Sequence, residues 1–321
     1  MQILICDDSK VARRSMARCI SESFSGEILF AEHGIEALSV LESTSIDILF
    51  LDLTMPEMDG FEVLAEVKKR GIKTQIVVVS GDIQAIAQQR CYDLGAYAFV
   101  EKPLKQEVAK PLFHDLGIPY YLEDEAPKEM PTAGTLFERF QEVSNVALGV
   151  GAATIAEQLK EFIVLPVPQV GDLSFGELTM MILDTVSRPD SCAVAQRFVG
   201  GGLHGEALVC IEGNAIQQVG ERLGYAPGAI SNDEVVVNLV NVLVSSFLVS
   251  LSEQIGLDFS LREPLRIENF NPNDSMLSEN EHIFTVEYTY NAESIDLDCS
   301  VLFMFDQTSV AIIEGQLEML Q

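Results

Sequence analysis

Five polar side chains in the first third of the chain follow short apolar runs and could carry phosphoryl chemistry. The runs are typical of buried strands, and the residues at their ends are Asp7 and Asp8, Asp52, Ser80 and Lys102. Parallel strands bring such ends to one edge of a sheet, where open α/β sheets keep their ligand sites. We therefore expect these side chains to form one polar site.

Three carboxylates at one sheet edge repel one another unless a divalent cation binds between them. Oxygen ligands with room for water and a phosphoryl oxygen are typical of a Mg²⁺ site. Asp52 is the candidate nucleophile, because a carboxylate can carry an acyl phosphate. Lys102 and Ser80 could then bind phosphoryl oxygens. Each acid could instead cap the helix that follows it, but the clustering of all five residues at strand ends favours a reactive site.

The elements that must position this site alternate between apolar strand patterns and amphipathic helix patterns. Over residues 1–116 they predict a five-stranded, doubly wound parallel sheet. The predicted strands are 2–6, 27–31, 47–52, 75–80 and 97–101. The predicted helices are 9–23, 34–43, 60–70, 83–94 and 104–115.

The composition narrows the class of protein. The 321 residues carry a net charge of −29, which disfavours nucleic-acid binding, because phosphate contacts need clustered Lys and Arg. Six dispersed cysteines and the lack of a basic-then-apolar leader favour a cytoplasmic protein. The apolar segment 235–251 contains two Asn and three Ser and lacks basic flanks. It therefore predicts a buried helix of a soluble protein, and we expect no membrane partner.

A second domain follows a segment rich in proline and acidic residues. We interpret 117–131 as a linker and 132–321 as an α+β domain with an internal duplication. The duplication is indicated by two features at one offset, since Asn145 and Pro168 recur 96 residues later as Asn241 and Pro264.

Glu142 and Asn145 lie three residues apart and share one face of a predicted helix. A carboxylate and an amide there could bind a cation and orient a water molecule. Such a pair alone, however, usually belongs to a solvent-exposed helix face. In the second copy Asn238 replaces the acid and Asn241 remains. We expect that copy to be weak or inactive, and its two amides could instead be hydrogen-bonded core groups.

Residues 1–116 resemble the CheY-type receiver domain of two-component response regulators. The motifs that carry the resemblance are Asp7-Asp8, Asp52 with Met55-Pro56 and Met58-Asp59-Gly60, Ser80-Gly81 and Lys102-Pro103. The resemblance implies that Asp52 accepts a phosphoryl group supplied by a sensor histidine kinase. It also implies Mg²⁺ binding by Asp8, Asp52, Asp7 and the backbone of Thr54. Ser80 and Phe99 would form the switch pair, and Phe99 stands where many members have Tyr.

Residues 132–321 resemble the CheC/CheX/FliY phosphatases, which hydrolyse the acyl phosphate on a receiver. The resemblance is carried by Glu142-x-x-Asn145 and by Pro168, and Glu138 stands where the family often has Asp or Ser. It implies that Glu142 pairs with the receiver lysine and that Asn145 places water in line with the phosphorus.

Two functions of different classes remain open. The first is an aspartyl-phosphate phosphatase regulated by phosphorylation of Asp52, with the attached receiver or a separate phosphorylated CheY-like protein as substrate. A separate substrate is slightly favoured, because a chain that hydrolysed its own phosphoryl group would stay phosphorylated only briefly. The second is a non-catalytic CheC-like binding module, whose docking to a chemotaxis or flagellar protein is switched by receiver phosphorylation.

Overall fold

A computed structural model gives the structure of the protein in two compact units, Met1–Glu142 and Val143–Gln321. The structure describes residues 1–20, 23–120, 135–188, 191–213, 215–267, 282–292 and 294–319. Residues 121–131 of the predicted linker lie outside this set, so the linker stays a prediction.

The first unit contains a parallel sheet in the order β2-β1-β3-β4-β5. Its strands are β1 (Gln2–Cys6), β2 (Glu27–Ala31), β3 (Ile48–Leu51), β4 (Gln75–Ser80) and β5 (Ala98–Glu101). Its helices are α1 (Lys10–Arg18), α2 (Gly34–Ser43), α3 (Gly60–Arg70), α4 (Ala85–Leu94) and α5 (Gln106–Asp115). The predicted doubly wound parallel sheet is confirmed.

Apolar side chains cover both faces of this sheet, which explains why its strands read as nearly continuous apolar runs. Leu4 and Leu49 pack into the cluster on one face, and their neighbours Ile5 and Phe50 pack into the cluster on the other. The second cluster also includes Ile118. The packing of the first unit therefore continues beyond the predicted boundary at residue 116.

The second unit contains an antiparallel eight-stranded sheet in the order β10-β8-β9-β13-β12-β6, with β11 added to β8 and β7 to β12. Its strands are β6 (Ile163–Val164), β7 (Gln169–Ser174), β8 (Ser191–Gly200), β9 (Leu203–Glu212), β10 (Ser260–Leu261), β11 (Leu265–Arg266), β12 (His282–Ala292) and β13 (Asp298–Phe305). Its helices are α7 (Phe175–Ser187), α8 (Ile216–Arg222), α9 (Asn232–Ile255) and α10 (Gln307–Met319). One further helix, α6 (Leu136–Leu159), crosses the division between the units.

The order of elements repeats with the period found in the sequence. Both ends of α9 lie 96 residues after the corresponding ends of α6. Each helix leads into two short strands and then two long ones, and the two halves exchange their short strands at the sheet edges. The first pair, β6 and β7, adds to β12 of the second half, while β10 and β11 add to β8 of the first half. The α+β part of the prediction and the duplicated order of elements therefore agree with the structure.

Helix α9 contains the apolar segment 235–251. Among the described residues it is the one helix long and apolar enough to cross a membrane, with a window of mean hydropathy 2.1. That window is 56% buried inside the protein. The ring of Phe247 on α9 packs 4.5 Å from the ring of Phe303 on β13. The helix thus lies against the sheet as a core element, as expected for the segment.

Candidate functional site

The structure brings the polar residues at the strand ends of the first unit together. Carboxylate oxygens of Asp7, Asp8 and Asp52 lie within 4.8 Å of one another. The ammonium Nζ of Lys102 lies 2.7 Å from Asp7 Oδ2 and 3.4 Å from Asp52 Oδ2. Ser80 is fully buried at the end of β4, and its hydroxyl accepts a hydrogen bond from the backbone N–H of Asp82 at 3.1 Å.

The loop between β1 and α1 is held in shape by its own polar groups. Asp7 Oδ1 accepts a hydrogen bond from the backbone N–H of Ser9 at 2.8 Å. The Ser9 hydroxyl in turn accepts the N–H of Ala12 at 3.1 Å and caps α1. The Ser9 side chain therefore fixes where α1 begins, and the Ser9 backbone N–H helps to orient the Asp7 carboxylate.

Gly60 allows the loop after β3 to return close to Asp52. A Cβ atom at Gly60 would lie only 2.3 Å from the backbone carbonyl oxygen of Asp52. The preceding residue, Asp59, caps α3 in a reciprocal pair of hydrogen bonds with Glu62. The Asp59-Gly60 step thus combines a cap with the close approach that a glycine permits.

Burial dominates the electrostatics of the site. It raises the pKa of Asp7, Asp8 and Asp52 to about 7 each, and neighbouring carboxylates add to the effect while Lys102 opposes it. Burial alone would lower the pKa of Lys102, but Asp52, Asp7 and Glu142 hold it well above its ordinary value. Lys102 is therefore charged at neutral pH, and the acids ionise fully only with further positive charge nearby.

The donor set fits Mg²⁺. Both carboxylate oxygens of Asp52 are buried and have no hydrogen-bond partner among the described residues. Together with Asp7 and Asp8 they offer only oxygen ligands, which a hard divalent cation prefers. Thr54, whose backbone carbonyl is the further predicted ligand, is buried in the loop after β3.

The predicted switch pair lies on the two neighbouring strands β4 and β5. Phe99 is half-buried and packs against the core cluster of one sheet face. It stands opposite Val78, two residues before Ser80. This register places both residues near the polar site, and their switching role stays a prediction.

Helix α6 begins with a capping arrangement that accounts for Glu138. The backbone N–H of Thr135 donates to Glu138 Oε2 at 2.7 Å, and the N–H of Glu138 donates to Thr135 Oγ1 at 3.3 Å. Such a capping box fixes the first turn of the helix. Glu138 therefore serves the helix start in this chain, one turn before Glu142.

Glu142 is the last residue of the first unit, and its carboxylate belongs to the polar site. Its Oε1 lies 3.6 Å from Lys102 Nζ, and its side chain is 18% exposed. The other oxygen, Oε2, is buried without a hydrogen-bond partner among the described residues. Lys102 thus faces three carboxylates, those of Asp7, Asp52 and Glu142.

Asn145 follows three residues later, on the same face of α6. It is 8% exposed, while Glu142 retains more contact with solvent. Its helix neighbours Val146 and Ala147 are buried in the second unit, and Pro168, which completes the motif, is also buried. The acid and the amide therefore lie on the same helix, three residues apart.

In the second copy of the motif, Asn238 and Asn241 form hydrogen bonds to other side chains of the second unit. Asn238 Nδ2 donates to the Tyr225 hydroxyl at 3.0 Å, and Asn241 Oδ1 accepts from Gln196 Nε2 at 3.0 Å. Gln196 Nε2 also donates to the backbone carbonyl of Arg262 at 2.9 Å, which fixes the orientation of both amides, since a carbonyl only accepts. Asn241 is exposed, so its interpretation as a core amide was wrong.

One residue of the site, Arg13, escaped the sequence analysis. Its Nη1 donates to the backbone carbonyls of Asp7 at 2.6 Å and Asp8 at 3.0 Å. Its Nη2 lies 2.5 Å from Glu32 Oε1. The adjacent Arg14 is exposed, and a single sequence contains no signal that separates the two arginines.

Comparisons with known proteins concern mainly the first unit. Residues 3–111 match the family model described as response regulator receiver domain. Over 112 residues the chain is 37% identical to a protein-glutamate methylesterase/protein-glutamine glutaminase of Treponema denticola. Over 110 residues it is 33% identical to the sensor histidine kinase RcsC of Salmonella typhimurium. Each match covers 34% of this chain, but only 30% and 12%, respectively, of the two relatives.

Among solved structures, that of FliY from Thermotoga maritima aligns with 60% of this chain and with its own full length. The sequence identity is 17% and the TM-score is 0.43.

Proposed function

We propose that this chain, whose residues 3–111 form a response regulator receiver domain, accepts a phosphoryl group on Asp52 and hydrolyses it with Glu142 and Asn145. The observation that carries the proposal is the 3.6 Å approach of Glu142 Oε1 to Lys102 Nζ. This contact brings an acid of the Glu-x-x-Asn helix beside Lys102, the residue that we propose binds a phosphoryl oxygen.

In the first step, an Asp52 carboxylate oxygen attacks the phosphorus of a donor, with a sensor histidine kinase as the expected source. The new O–P bond forms as the bond between phosphorus and the donor nitrogen breaks. Asp7, Asp8 and Asp52, with the Thr54 carbonyl, would hold Mg²⁺, which supplies positive charge to the phosphoryl oxygens when bound. Lys102 and Ser80 stabilise and orient the phosphoryl group from the protein side.

In the second step, a water oxygen attacks the phosphorus in line with the Asp52 oxygen. The O–P bond to Asp52 breaks, the carboxylate regains its electron pair, and both protons of the water leave with inorganic phosphate. Glu142 pairs with Lys102, and the Asn145 amide orients the water. Phosphoryl transfer depends on such positioning and charge stabilisation, and one oriented group contributes roughly 10²–10³ in rate.

The same contact favours the chain's own receiver as substrate. Glu142 and Lys102 belong to one unit of one chain, so the acid needs no second molecule to reach the lysine. We therefore propose action in cis, and the separate CheY-like substrate that the sequence slightly favours stays the alternative.

The non-catalytic binding module remains the second candidate, and the hydrogen bonds of Asn238 and Asn241 in the second copy favour it. Asn238 and Asn241 both form hydrogen bonds to side chains of the second unit, as expected of a helix with a structural role. In that case the ion pair between Glu142 and Lys102 would form only without phosphorylation, because the phosphoryl oxygens on Asp52 would compete with Glu142 for the Lys102 ammonium group.

A phosphate-loss assay separates the two candidates. The full chain is labelled with a radioactive acyl phosphate and Mg²⁺, with Asp52→Asn expected to take up no label. After removal of the donor, Asn145→Ala should lose label roughly 10²–10³ times more slowly than the wild type. Asn241→Ala is the matched control, because it makes the same change at the equivalent position, and should lose label at the wild-type rate. Equal rates for wild type and Asn145→Ala would reject the phosphatase and favour the binding module.

A further inference from the structure

We propose that Arg13 is a positioning residue for the metal site, which clamps the backbone that carries Asp7 and Asp8. Arg13 is 7% exposed, and one guanidinium nitrogen donates to two consecutive carbonyl oxygens, at 2.6 and 3.0 Å. The inference rests on the proposed Mg²⁺ site.

The contacts of Arg13 define how it acts. None of its described contacts is to the carboxylates of Asp7 or Asp8, so it is neither a ligand nor their direct counter-charge. It grips the main chain between them instead, and its other nitrogen is anchored on Glu32, which follows β2. Two metal-binding side chains thus take their position from a loop that is tied to the neighbouring strand.

The planar guanidinium explains why an arginine is required. Its fork carries donors in fixed directions, so Nη1 can bridge two carbonyls while Nη2 reaches Glu32. A lysine at position 13 would keep the charge but present a single nitrogen. A methionine would fill much of the space and leave both carbonyl oxygens without this donor, which frees the loop to change its shape.

The loss expected on removal of the clamp is that of an outer-shell partner of a metal site, about 10–100-fold in metal affinity. Because the carboxylates of Asp7 and Asp8 remain, binding should be weakened but not abolished.

The test is calorimetric titration of the full chain with Mg²⁺. Arg13→Met should raise the dissociation constant about tenfold or more, and Arg13→Lys should give an intermediate value. The matched control is Arg14→Met, which removes the same charge from the adjacent exposed position and should bind Mg²⁺ like the wild type. Circular dichroism before titration checks that each variant is folded.

A second readout separates positioning from simple loss of folded protein. The rate of Asp52 labelling by an acyl phosphate is measured as a function of Mg²⁺ concentration. For Arg13→Met we expect the half-saturating concentration to rise by the same factor as the dissociation constant, with the plateau rate restored to within about threefold of wild type.

Three results would overturn the inference. The first is an unchanged half-saturating concentration with a lowered plateau, which is the pattern of lost folded protein. The second is an equal loss of affinity in Arg14→Met, which would make the effect one of net charge. The third is a wild type that binds no Mg²⁺, which would remove the proposed metal site as well, whereas the first two leave that site standing.

Discussion

The buried acid at position 52 should destabilise the metal-free protein at neutral and alkaline pH. Burial raises the pKa of Asp52 from 3.8 to about 7. The unfolded chain therefore releases this proton from about pH 4, whereas the folded chain keeps it until about pH 7. Stability is lost as the pH rises through this window, and the loss is complete above pH 7.

The size of the effect follows from the shift. About three pKa units at 1.36 kcal/mol each give roughly 4 kcal/mol as the upper limit. Asn in place of Asp52 removes that cost, but it also removes an ion pair with Lys102, which keeps its shorter contact to Asp7. We therefore expect Asp52→Asn to stabilise the metal-free first unit by about 2 kcal/mol at pH 8 and by clearly less at pH 5.

The assay is urea denaturation followed by circular dichroism, with a chelator and then with Mg²⁺. The first unit is identified as the transition that Mg²⁺ moves in the wild type. Mg²⁺ should cancel most of the advantage of Asp52→Asn, because the cation stabilises the ionised carboxylates of the wild type. Asp93→Asn, at an exposed carboxylate, is the matched control and should change little. An Asp52→Asn variant no more stable than the wild type at pH 8 without metal would show that the buried carboxylate does not destabilise the protein.

Three further changes test the positioning of the site. Gly60→Ala places a Cβ atom against the Asp52 carbonyl and should cost about 1–3 kcal/mol in urea denaturation; wild-type stability would contradict the close approach. Glu142→Gln should slow phosphate loss about tenfold or more, because it weakens a charged contact to Lys102 worth about 1.5–3 kcal/mol. Labelling of Asp52 should stay at the wild-type rate. An unchanged rate of phosphate loss would mean that Glu142 has no part in the mechanism. Thr135→Ala removes the hydroxyl acceptor of the α6 cap and should cost about 1 kcal/mol, seen as faster amide hydrogen exchange in the first turn of α6; unchanged exchange would mean that the cap contributes nothing.

Most of the first unit follows from the pattern of the sequence. Helices 34–43 and 60–70 begin and end at the predicted residues, since a cap and a clear apolar face mark them. The first helix is shorter than the predicted 9–23, because it ends at Arg18 and Ile20 then pairs with Tyr120. That long-range bridge leaves no periodic signal near residue 20.

The site shows where local patterns stop being informative. The acids at the strand ends were foreseen because parallel strands share one edge. The contacts of Arg13 with the backbone were not predicted, because the sequence pattern does not show which of the adjacent arginines, Arg13 or Arg14, is buried. Similarly, the contact of Asn241 with Gln196 joins residues 45 apart, and only the folded sheet brings them together.

The most direct test of hydrolysis by Glu142 and Asn145 is the first-order rate constant for phosphate loss from Asp52 in the full chain. It is measured for the wild type and for Asn145→Ala at two protein concentrations tenfold apart. We predict that the wild-type rate constant is independent of protein concentration and that the rate constant of Asn145→Ala is roughly 10²–10³-fold lower. A rate constant that rises with concentration would contradict action in cis, and one unaffected by the loss of the amide would contradict the hydrolytic role itself.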